Sequence, residues 1–432
     1  MKSCYNTAKR FSIALFLYCT LFYSVGFPVS VYSSDAGNAW QDRQVQTVQA
    51  TARADALNVY GGSARHKVAA PGFFRVLEKS NRWWLLDPEG CLYFSIGVNS
   101  VAPGRVGSTD LNAWAQDTYS LLKDAGFNSL GRWSDHKPFQ NIGKNIPWCA
   151  SHSFMKDYAN KRPAKYGEAR FPNETLPVFD ETWPIFCASY AKENAGPLKD
   201  DVWLLGHFSD NEIPFRPDAL KKYLALPVDD AGHIAAAKWM QENRIRDRDV
   251  DDAEVQAAFL YVVAKRYYDA VAAALKQADP NHLYIGSRLH GRCISEPVIK
   301  AAGACDVVSI NYYHRWEAER ERTKSWTKWS QKPFLVGEFY AMTVPKDKAV
   351  PKSSGAGFRV LNYEDAGDFY QHYTKSLLKD IPNCVGWHWF KYADDNPISR
   401  KGIVGQQGEI RAPLIEKMKA VNEQAYSLRA PR

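Results

Sequence analysis

Strand-length apolar runs alternate with helical segments eight times between residues 92 and 421, and no other feature of the chain constrains the fold so tightly. The runs are 92–99, 127–133, 146–152, 202–212, 283–290, 307–314, 333–339 and 384–392. They are nearly continuous in apolar and aromatic residues, as parallel strands covered on both faces are. Pro147 makes the third run the weakest strand of the set. Between the runs, Leu111, Trp114, Ala115, Leu121, Leu122 and Ala125 recur at helical spacing before Gly126. Phe259, Val263, Tyr267, Val271 and Leu275 step by four up to Asp279-Pro280-Asn281. Ala366, Phe369, Tyr370, Tyr373 and Leu377 mark another helix, and Leu414, Ile415, Met418 and Val421 a closing one. Helical pieces are also expected at 182–194 and 231–243. The expected class is α/β, a single (β/α)8 TIM barrel over 71–428 with loop insertions (156–181, 213–250) at its C-terminal face. No Gly-rich turn follows the first run, so a dinucleotide-binding sheet finds no support.

Ahead of this unit, Lys9-Arg10 precedes an apolar stretch from Phe11 to Phe27, which reads as a secretory signal peptide over 1–34. Residues 35–70 are polar and aperiodic, expected as a linker or a tail wrapped on the surface. The expected location is secreted or periplasmic, with no stable membrane insertion after removal of the signal. A formal charge of +8 without a Lys/Arg run gives no nucleic-acid arm. Six cysteines follow the signal, none at metal-ligand spacing, and an exported compartment permits disulfides; Cys91 and Cys384, ahead of the first and eighth strands, are the candidate neighbours. No cofactor and no metal are expected, and the oligomeric state stays open.

The ends of the strands carry the chemistry. The fourth run finishes in Asp210-Asn211-Glu212 and the seventh in Gly337-Glu338. In a barrel, polar residues at C-terminal strand ends converge on one mouth. That rule assembles Asn99, Arg132, His152, Asn211, Glu212, His290, Tyr312, Tyr313, Glu338, Trp387, His388 and Trp389. Two facing carboxylates suit retaining glycoside hydrolysis, one as nucleophile and the other as acid and then base. In that scheme Asn211 bonds a sugar hydroxyl, while Arg132 and Tyr312 or Tyr313 keep Glu338 charged. Trp387 or Trp389 floors a sugar subsite, although packing against helices is an equal expectation for both. His152, His290 and His388 have no metal-ligand spacing and read as wall residues.

At these residues the chain resembles the clan A glycoside hydrolases: Asn-Glu ends strand four, Glu ends strand seven, and strand six carries an Asn-x-Tyr, Asn311-Tyr312-Tyr313. It is more closely similar to the β-agarase group of glycoside hydrolase family 50. The matching pieces are Trp84 to Gly90, Phe94 to Asn99, Phe208 to Glu212, Gly337 to Tyr340 and Gly386 to Tyr392. The resemblance spans roughly 72–425 and implies Glu212 as acid/base, Glu338 as nucleophile and a β-linked galactose-containing polysaccharide as substrate. The group typically carries a sizeable binding-like domain ahead of the barrel, and residues 35–70 are shorter than that. Porphyran-like, carrageenan-like and other β-galactosides therefore stay open beside agarose. So do a β-galactosidase or β-mannanase specificity and a glycan-binding barrel without turnover.

Overall fold

Fifteen strands are present among the described residues, which are 56–162, 170–344, 355–398 and 400–429 of a computed structural model. In chain order they are β1 (Ser63–Lys67), β2 (Arg75–Lys79), β3 (Arg82–Leu86), β4 (Cys91–Tyr93), β5 (Ser95–Val98), β6 (Ser129–Leu130), β7 (Trp148–Ser151), β8 (Leu204–Phe208), β9 (Leu283–Tyr284), β10 (Leu289–His290), β11 (Val308–Asn311), β12 (Phe334–Phe339), β13 (Ala341–Thr343), β14 (Phe358–Val360) and β15 (Cys384–Trp389). Nine of them form one curled parallel sheet in the order β10-β11-β12-β15-β5-β6-β7-β8-β9. Each of the eight apolar runs contributes to it. The two strands at the ends of this order, β9 and β10, are successive pieces of the fifth run, 283–290.

Two apolar clusters explain why these runs lack polar alternation. Leu205, Leu283, Ile285, Val307, Leu335 and Val385 gather on one face, where Tyr60, Phe74, Leu85 and Tyr93 join them. Their sequence neighbours Leu204, Tyr284, Val308, Phe334, Val336 and Cys384 pack into the larger cluster with the helices. Both faces are covered, so all six residues of β12 and all six of β15 are buried. The longest helix, Ala253–Ala278, is started by the Asp252 carboxylate accepting from the Glu254 and Val255 N–H groups.

The expected first run splits in two. β4 turns into a four-stranded antiparallel sheet (β1-β4-β3-β2), and β5 joins the parallel sheet next to β15. The part of 35–70 that is described supplies β1, paired with β4. The 156–181 excursion begins with a helix, Phe154–Lys161. Cys91 and Cys384 are both free and buried, as are Cys149, Cys187, Cys293 and Cys305, so the proposed neighbours are not bonded. The expected signal peptide lies outside the described residues. Among the described residues no helix is long and apolar enough to cross a membrane.

Candidate active site

The C-terminal ends of the parallel strands bend sharply. Ser100 follows the first run, while Trp133, Glu212 and His314 end the second, fourth and sixth, and all four hold left-handed backbone (φ 60°, 62°, 53° and 58°). Non-glycine residues occupy that region at a cost of about 1–2 kcal/mol each. All four lie at the same, C-terminal, end of the parallel strands.

Glu338 sits within β12 and is only 5% exposed. Its Oε1 is 2.7 Å from Nη2 of Arg288, and its Oε2 accepts a 2.6 Å hydrogen bond from the Tyr313 hydroxyl. Gly337 makes this approach possible. A side chain there would put Cβ 2.7 Å from Ser309 Oγ, 2.8 Å from Asn311 Oδ1 and 3.0 Å from Arg288 Nε. The Arg288 Nη2 also donates to the Gly337 carbonyl.

Glu212 lies beyond β8, with its side chain 37% exposed. Its backbone N–H donates to the Arg288 carbonyl, and Asn211 forms a parallel bridge with Arg288. The Glu212 Oε1 accepts from Asn311 Nδ2 at 2.8 Å, with His290 Nδ1 3.9 Å away. Asn311 stands opposite Glu338 in the β11–β12 register. One asparagine therefore touches the first carboxylate by its side chain and neighbours the second by its backbone.

The structure thus brings Glu212, Glu338, Asn211, His290 and Tyr313 together and adds Arg288, Asn311 and Trp133. Asn311 lay in the Asn-x-Tyr of the sixth run, and Arg288 is the one cation in the middle of the fifth. Trp133 is 37% exposed and has the Arg288 and Arg132 guanidiniums 4.8 and 5.2 Å from its ring.

Other expected residues go elsewhere. Arg132 donates to the carbonyls of His152 and Asp210, so the cation on Glu338 is Arg288 instead. Burial, followed by the Arg288 charge, lowers the Arg132 guanidinium to about 10. The Tyr312 hydroxyl bonds Glu319 while its ring packs on Trp326, which leaves only Tyr313 on Glu338. Trp387 and Trp389 are fully buried on the helix side, donating to the Tyr370 hydroxyl and the Lys401 carbonyl. Neither floors a sugar site.

Asn99, His152 and His388 are also buried. The Asn99 amide donates to the Gly337 carbonyl at 3.0 Å, tying the first run to the seventh. His388 Nε2 bonds Ser95 Oγ on the inner face, and burial with the Arg288 charge drives its imidazole down to about 3. His152 Nε2 meets His207 Nδ1 at 2.9 Å, and burial with the charges of His207 and Arg132 holds it well below the ordinary histidine value. His207, Asp279 and His282 have the spacing of a metal site, with ligand atoms within 4.8 Å. Both nitrogens of His207 and of His282 already have protein partners (His152, Asp279 and the Asp201 carbonyl), so the cluster is accounted for as a hydrogen-bond chain. Asp210, bonded by the Met155 and Lys156 N–H groups and the Tyr267 hydroxyl, is nonetheless raised to about 6 by burial.

No family model matches the chain. It is 22% identical to "Beta-agarase B" of Vibrio sp. (strain JT0107), covering 93% of this chain and 55% of that one. It is 24% identical to "Beta-agarase A" of the same strain over 68% of this chain and 33% of the relative. The chain thus spans about half the length of the first of these relatives and a third of the second. The solved structure of BpGH50 is 32% identical and covers 86% of each chain, with a TM-score of 0.78. An exo-β-agarase structure at 20% identity matches in fold, with a TM-score of 0.74 over 87% of this chain and 68% of that one.

Proposed function

The chain belongs to glycoside hydrolase family 50, and on that footing we propose that it is a retaining β-glycosidase of β-linked galactans, hydrolysing agarose-type polysaccharide or its oligosaccharides. The observation that carries this reading is the pair Glu212 and Glu338, joined through Asn311, with unlike surroundings. The relatives named as β-agarases supply the substrate class. The (β/α)8 barrel and clan A membership belong to the same proposal. Their support is that β9 and β10, at the two ends of the parallel order, are successive pieces of one run, as a closed ring of eight would require. Export rests on the basic and then apolar N-terminus.

The chemistry follows from the two environments. Glu338, fixed by Arg288 and Tyr313, attacks the anomeric carbon as a carboxylate. The bond from that carbon to the bridging oxygen breaks, and Glu212 gives its proton to the departing oxygen. Glu212, now a carboxylate, takes a proton from water as the water oxygen attacks the same carbon and frees Glu338. Asn211, beside the acid, bonds a sugar hydroxyl as charge develops. Two inversions leave the β configuration intact.

An activated fluorosugar of galactose configuration tests the reading. It should add one glycosyl unit to the peptide carrying Glu338, seen by mass spectrometry. A label on any other residue, or none in a protein that cleaves galactan, would overturn the double displacement.

A further inference from the structure

Among the described residues two tryptophans stay more than a third exposed, Trp316 and Trp133. Trp316, in the loop after the sixth run, packs against Phe358 and Phe369. Trp133 stands at the mouth. Its left-handed backbone is fixed by its own N–H donating to Ser151 Oγ at 3.0 Å and by the Ser100 N–H on the preceding carbonyl at 2.8 Å. Held there, the indole is carried off the strand direction and across the strand ends.

The surroundings give this ring a covered side and an open one. Arg132 and Arg288, with residue exposures of 2% and 0%, lie against it, so they back its inner part. Phe390 approaches at 6.1 Å and 69° and forms a side wall. The Arg288 guanidinium that touches the indole is the one that holds Glu338, so a ligand on the open part lies one guanidinium away from that carboxylate. Flat, rigid apolar surface in a polar mouth suits the C–H face of a sugar ring. Configuration decides how good that face is. An axial O4, as in galactose, leaves the hydrogens of C3, C4 and C5 on one side of the ring as a continuous apolar patch. With the equatorial O4 of glucose, they are divided between the two sides.

We propose that Trp133 is the stacking platform for a galactose-configured ring beside the bond to be cleaved, and that it selects galactosides over glucosides. The proposal rests on the reading of the protein as a β-galactan hydrolase and names a selectivity residue for it.

The test measures binding by calorimetry in a Glu338→Gln background, where turnover stops, with agarose oligosaccharides and cellulose oligosaccharides as probes. Trp133→Ala should weaken the agarose probe about 10- to 100-fold, while the cellulose probe, weak from the start, changes little. Trp133→Phe should hold the agarose affinity within about 5-fold, and Trp133→Leu, similar in bulk but not flat, should behave like Trp133→Ala. If the alanine protein fails to fold, the phenylalanine and leucine pair decides the question. Equal losses for both sugars would make Trp133 a mere prop for Arg288 and overturn the proposal, as would unchanged affinity in the leucine variant. If the Glu338→Gln protein with Trp133 intact binds neither probe, the galactan reading itself falls, and the platform with it.

Discussion

The two carboxylates differ in almost every physical respect although both end an apolar run. Glu338 is inside a strand, its side chain 7% exposed, with a guanidinium on one oxygen and a phenol on the other. Glu212 is beyond its strand on left-handed backbone, 37% exposed, with one amide donor and His290 at 3.9 Å. The first arrangement fixes an anion in place and leaves it little freedom. The second leaves a carboxyl in contact with solvent and held by a single amide donor. The difference teaches that roles in such a pair follow from the surroundings, because the side chains themselves are identical.

The sharpest way to break the comparison is to remove each carboxylate in turn. Glu338→Ala should abolish turnover of both polysaccharide and activated aryl galactosides, since it removes the proposed nucleophile. Azide should restore it only as the inverted glycosyl azide, read by NMR. Glu212→Ala should lose roughly 10²- to 10⁴-fold on polysaccharide. It should still release dinitrophenol in a burst and then stall, and azide should relieve the stall with retained configuration. Exchanged behaviour of the two variants would exchange the roles.

The next test concerns the supports rather than the carboxylates. Arg288→Met leaves a buried carboxylate without its cation and should cost about 3–5 kcal/mol of stability in urea unfolding. Asn311→Ala, on the more exposed partner, should cost only about 1 kcal/mol. Comparable losses would mean that the two sites are not as unlike as their exposure indicates. Removing the phenol, Tyr313→Phe, should lower kcat/KM roughly 10- to 100-fold with the fold intact.

The last test concerns pH dependence, away from both carboxylates. His388 has a folded value of about 3, depressed by burial and the Arg288 charge, against about 6.5 when free. Between those values the unfolded chain binds a proton that the folded protein refuses. Stability therefore falls as pH drops from 6.5 towards 3, by up to about 1.4 kcal/mol per pH unit for this group. His152 and His207 are depressed as well and act in the same direction. His388→Gln should make the acid side of the stability curve shallower by about one proton. An unchanged slope would show that His388 does not set it.

The sequence by itself determined the alternation of strands and helices, the polar tips of the fourth and seventh runs, and Glu212 and Glu338 as the pair to examine. Period and composition are local properties, and the chain displays them directly. Tertiary structure decided which side of each strand faces inward. Trp387, His388 and Trp389 alternate in sequence, but only closure against the helix Tyr363–Asp380 sends both tryptophans outward and the histidine inward. The same holds for the choice of cation. Arg132 and Arg288 each sit in a strand run, and pairing of β11 with β12 across Gly337 gives Glu338 to Arg288. Trp133 became visible only through its positive φ, which no composition rule assigns to a tryptophan. Contacts between different runs, 25 residues apart for Tyr313 and Glu338 and 99 for Glu212 and Asn311, carry no periodic signature in the chain, and those contacts set the chemistry of the site.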